Sequence, residues 1–71
     1  MSRIYVFKTS VQTKKSLRRV SNFLDQLLPG VKWNFDLTDC DSILRIESKT
    51  NMASVVIEGL NGLGFDCQEL Q

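Results

Sequence analysis

Seventy-one residues make one domain, spanning 1–71, and a chain this short buries only roughly 60% of its unfolded surface, so its core must be thin. An apolar fraction of 42% and a charged fraction of 24% are those of an ordinary globular domain, and a net charge of +1 excludes any global field that would select nucleic acid or an anionic membrane. The absence of histidine removes the commonest general base and the commonest transition-metal ligand, and with them any Ser-His-Asp set.

Ile4-Tyr5-Val6-Phe7, β-branched and aromatic, predicts a first strand over 3–8. Ser10 and Thr13 are candidate N-caps, and from Gln12 the period changes: Leu17, Val20, Leu24, Leu27 and Leu28 recur at helical spacing until Pro29-Gly30 stops the helix. Val31 to Thr38 alternates, with Val31, Trp33, Phe35 and Leu37 expected to face inward. Asp39-Cys40-Asp41 makes a turn, and Ser42 to Ser48 returns as a hairpin partner with Leu44 and Ile46 inward. Asn51 caps a second helix with apolar positions Met52, Val55, Val56 and Leu60; Gly59 weakens it and Gly62 or Gly64 ends it. A last strand follows over 65–70. This strand, helix, strand, strand, helix, strand order, closed by right-handed crossovers, predicts the α+β class: a ferredoxin-like βαββαβ sandwich whose four-stranded antiparallel sheet has the order 4-1-3-2 and carries both helices on one face.

Two motifs bear on family. Pro29-Gly30-Val31 through Phe35-Asp36 reads as a glycine-led second strand, and Leu60-Asn61-Gly62-Leu63-Gly64-Phe65-Asp66 as a helix end with a Gly-aromatic approach to the last strand. In both, and over the length of the chain, the sequence resembles a heavy-metal-associated (HMA) domain, the module of copper chaperones and copper-pumping ATPases. That resemblance implies a loop, between the first strand and first helix, that holds Cu(I) through a Met-Thr-Cys-x-x-Cys motif, in which two soft thiolates close on one ion. Here the loop reads Thr9-Ser10-Val11-Gln12-Thr13-Lys14, with Thr9 in the methionine slot and Val11 and Lys14 in the cysteine slots. Valine has no lone pair to give and a protonated lysine repels a cation, so no metal and no cofactor are expected at these degenerate positions.

The clearest charge cluster is Lys14, Lys15, Arg18 and Arg19 in the first turns of the first helix. Cations there oppose the helix dipole, and Lys14–Arg18 and Lys15–Arg19 are like-charge pairs at i,i+4. One reading is a docking surface for an anion, such as an acidic protein patch, a phosphate or a nucleic-acid backbone; the other is a solvated face whose long stems shield the core. The second candidate is the sheet face without helices. If Ile4 and Val6 point to the helices, then Tyr5 and Phe7, with Ile43 and Arg45, lie open and could pack against another copy or stack bases. The aromatic signature of RNA-binding sheets is absent, so nucleic acid is not the expected partner. The opposite register would put Tyr5 and Phe7 in the core.

Cys40, between Asp39 and Asp41, is expected to be a sluggish exposed thiol, and Cys67 a core residue on the opposite sheet edge, too far away for a disulfide. Two cysteines without a CxxC pair suit a reducing cytoplasm. Met1 to Tyr5 shows no apolar signal segment, and no apolar run is long enough to span a membrane. Asp36, Asp39 and Asp41 lack the glycine and glutamate of a calcium loop and read as a solvated turn. Two functions remain in view: a non-enzymatic interaction module that contacts an acidic protein or a second copy of itself, and a metal or small-ligand carrier with a non-standard site through Cys40 or Cys67.

Overall fold

A computed structural model describes residues 2–36 and 42–70. The elements run β1 (Arg3–Thr9), α1 (Lys14–Leu27), β2 (Lys32–Asp36), β3 (Ser42–Ser48), α2 (Ala53–Gly62) and β4 (Cys67–Leu70). The four strands form one sheet in the order β2-β3-β1-β4, the expected order read from its other edge, and every neighbouring pair is antiparallel. The chain is therefore an α+β domain with an open antiparallel sheet and two helices. Leu37 and the turn with Asp39, Cys40 and Asp41 lie outside the described residues.

The caps explain where α1 begins. Thr13 is extended (φ −116°) and its hydroxyl accepts the Ser16 N–H at 3.0 Å, satisfying one donor that the first turn leaves orphaned. Ser10, the other candidate cap, is used differently: its Oγ accepts the Asp66 N–H at 2.8 Å, and its own N–H donates to the Asp66 carbonyl at 3.1 Å. It ties the start of the α1 loop to the approach of β4. Asn51 caps α2 from one position further out, accepting the Ala53 N–H at 3.0 Å. At the other end, Gly64 takes φ +95°, a conformation that favours glycine, and the chain turns there into β4.

One face of the sheet makes the core. Across β1 and β3, Tyr5 lies opposite Ile46, Phe7 opposite Leu44 and Thr9 opposite Ser42. Tyr5, Phe7, Leu44 and Ile46 form one buried cluster with Val11, with Val20 and Leu24 of α1, and with Met52, Ala53, Val56 and Leu60 at and within α2. Trp33 and Phe35 join from the β2 edge, half-buried, ring edge to ring face at 6.2 Å between centroids. Trp33 Nε1 donates to Asp25 Oδ1 at 3.2 Å and links β2 to α1.

The register of β1 is the main correction. Tyr5 is 8% exposed and Phe7 fully buried, so both face the helices, whereas Ile4 is 58% exposed on the other side. The two aromatics have larger apolar area to hide than Ile4 and Val6, and a strand can bury only one alternate set; the larger set wins. Val55, also expected inside, is 48% exposed, because Met52, Val56 and Leu60 already define the inner stripe of α2. Among the described residues, no helix is long and apolar enough to cross a membrane.

Candidate functional site

The β1–α1 loop is closed by its own hydrogen bonds. Thr9 is buried at 6% exposure; its Oγ1 donates to the Ser42 carbonyl at 3.0 Å and accepts the Val11 N–H at 3.3 Å. Ser42 Oγ in turn donates to the Val11 carbonyl. These bonds lock the loop to β3, and the Val11 side chain drops fully into the core. Of the three positions that the resemblance would set in a metal loop, Thr9 has its hydroxyl committed in both directions, Val11 is packed among apolar side chains, and Lys14 is an exposed cation at the first residue of α1. The three do not converge on a common point open to an ion.

Lys14, Lys15, Arg18 and Arg19 all stand in solvent. At 100° per residue they sweep one continuous arc of α1, opposite the Val20 and Leu24 stripe that packs on the sheet. The first turn carries no acidic residue, and among the described residues no carboxylate pairs with any of the four. Arg19 differs from the others in having a seat: its guanidinium carbon lies 5.8 Å from the centroid of Phe65, at the approach to β4. The cationic edge is thus anchored at one corner and free at the other three positions.

The face away from the helices carries other residues than the aromatics expected there. Tyr5 and Phe7 are excluded from it, and Ile43 and Arg45 are on it as expected. The pairings place Lys32, Glu47 and Ile4 in one row across the sheet, Asn34, Arg45, Val6 and Leu70 in the next, and Asp36, Ile43, Lys8 and Gln68 in the third. Arg45 reaches Asp36 at 4.0 Å with both side chains well exposed, an ion pair of little energetic weight.

Cys67 lies opposite Thr9 on the helix side of β4 and is half-buried rather than fully inside, because β4 is a sheet edge covered from one side only. Burial pushes its thiol up to about 11 from an ordinary value of 9.0, so it stays protonated and weakly nucleophilic at neutral pH. It borders a broad polar hollow of about 520 Å³ with Lys8, Ser10, Gln12 and Asn61. Among the described residues, no three His, Cys, Asp or Glu side chains gather as a metal site would require. Cys40 lies outside the described residues. Compared with protein-family models, curated proteins and solved structures, the chain matches none of them.

Proposed function

We propose that this domain is a non-enzymatic interaction module: a ferredoxin-like scaffold, resembling an HMA domain without its ion, that docks an acidic protein surface against the basic edge of α1. The observation that carries the reading is the placement of Lys14, Lys15, Arg18 and Arg19 at a helix end that disfavours cations, exposed and with no acidic partner among the described residues. Each like-charge pair costs a few tenths of a kcal/mol, and the helix dipole adds a comparable penalty. A binding partner that supplies carboxylates removes both penalties. The near-neutral net charge favours a local acidic patch over an extended polyanion, since the attraction fades within about 8 Å at physiological salt.

The four-strand order and the paired helices support the ferredoxin-like scaffold, and the closed β1–α1 loop supports a role without metal there. A carrier with a non-standard site draws no support from that loop, where Val11 offers no donor and Lys14 a positive charge.

Binding of a glutamate-rich peptide, followed by titration calorimetry, tests the reading. The wild-type chain is expected to bind, to weaken steeply between about 50 and 200 mM salt, and to lose at least about tenfold in affinity in the K14E/R18E variant. Binding that is indifferent to salt and to K14E/R18E would overturn it.

A further inference from the structure

The face of the sheet away from the helices has a pattern that complements itself. Ile4 protrudes at 58% exposure with Leu70, at 39%, in the next row, and these are two of the three large hydrophobic residues that stand exposed among the described residues. A hollow of about 220 Å³, toward Lys32, Asn34 and Arg45, flanks Ile4 on one side, and on the other an edge hollow of about 500 Å³ opens where β4 ends, bordered by Val6 and Leu70 and also by Arg3, Tyr5 and Glu69. In the strand beside it, Glu47 lies opposite Ile4 and Arg45 opposite Val6, so each charge sits one row from its opposite along β3. Glu47 has no ion pair among the described residues, and Arg45 only the long exposed contact to Asp36.

We infer that this face pairs with a second copy of the chain, through a two-fold axis that lies in the interface and crosses the strands between the Ile4–Glu47 and Val6–Arg45 rows. Such an axis exchanges the two rows while keeping each strand over its own counterpart. Glu47 of one copy then meets Arg45 of the other, twice, and Ile4 meets Val6, twice, with each protruding Ile4 directed at the hollows beside its counterpart. An isologous contact of this kind needs one self-complementary patch, and the alternation of β3 and β1 provides it. Lys32 meets Asn34, so no like-charge contact forms in these two rows. Both basic edges of α1 stay on the outer sides of the pair, so the dimer presents two docking edges at once; the pairing itself does not depend on what those edges bind.

The face is small. Four strands of seven, five, seven and four residues, about 4.8 Å apart and rising about 3.4 Å per residue, outline roughly 380 Å², below the about 800 Å² per partner of a standard interface. The dimer is therefore weak and concentration-dependent. Sedimentation velocity from about 5 to 200 μM reads it, with circular dichroism confirming that the exposed substitutions leave the fold intact. The wild-type chain is expected to move from monomer toward dimer across that range. I4D, R45E and E47R are each expected to weaken the dimer by about tenfold or more, and R45E/E47R to restore it to within about threefold of wild type, because the double exchange only reverses the polarity of each pair. A chain that stays monomeric throughout, which would leave the face to a different partner, overturns the inference. So does a dimer unmoved by I4D, or a double variant no tighter than the single ones.

Discussion

The Thr9 hydroxyl fixes the β1–α1 loop. Its Oγ1 bridges the Ser42 carbonyl and the Val11 N–H in a buried setting, where a lost partner leaves a polar group unsatisfied. Thr9→Val keeps the shape and removes both bonds. It is expected to cost about 1–3 kcal/mol in urea unfolding, while Thr9→Ser stays within about 1 kcal/mol of wild type. Equal stability of the two variants would show that the hydroxyl is not holding the loop. Cys67 makes a second prediction at this scale. Its folded thiol is raised to about 11 from 9.0, so the protonated form is favoured by folding. Its contribution is full below about pH 9 and is lost as the pH climbs through 11. In a C40S background, unfolding stability is expected to fall more steeply over that window than in C40S/C67A, and iodoacetamide at pH 8 should label Cys67 more slowly in the folded chain than in urea. Matching pH profiles for the two variants would contradict the assignment.

The two helices carry opposite lessons about local rules. Gly59 reads in the sequence as a weak point of α2, yet a methyl group there would overlap the Cζ and Cε2 atoms of Phe23 on α1. The glycine is the contact that lets the helices approach. Gly59→Ala gains about 1 kcal/mol of helix propensity but must displace the ring, and the expected net result is a loss of about 1–3 kcal/mol. In a Phe23→Ala background the same substitution should become neutral or stabilising, a non-additivity that a thermal-melt double cycle reads directly. On α1 the conflict points toward function. Lys14→Glu places an anion at the helix start and converts a repulsive i,i+4 pair with Arg18 into an attractive one, so it is expected to stabilise the fold by about 0.5–1 kcal/mol while weakening acidic-peptide binding. A variant that binds as tightly as wild type would reduce the basic edge to a solvated face. Element identity and order were legible because the period switches cleanly at Gln12 and at Val31, and the sheet order follows from crossover handedness. The β1 register was not, since Ile4-Tyr5-Val6-Phe7 is apolar at every position and alternation has no phase to reveal. Gly59 escaped for a related reason, because a one-residue window shows propensity and not the ring that will lie against it. The basic edge was legible, since charge that opposes the dipole is visible without a fold.

At the scale of the whole molecule, one face of the sheet is spent on the core, while the other face and the outer arc of α1 stay exposed and carry the two proposed contacts. A core of this size tolerates little, so substitutions that probe the two proposed contacts are placed at exposed residues, as Ile4, Arg45, Glu47 and the α1 cations are. The proposed role is docking in place of metal carriage, and one experiment sets the two against each other: native mass spectrometry of the reduced chain with one equivalent of Cu(I) and one of a glutamate-rich peptide. The expected spectrum shows peptide-bound chain and no stable copper adduct. A stable one-to-one Cu(I) adduct with no peptide bound would contradict the docking role and point to Cys40 and Cys67 as the ligands.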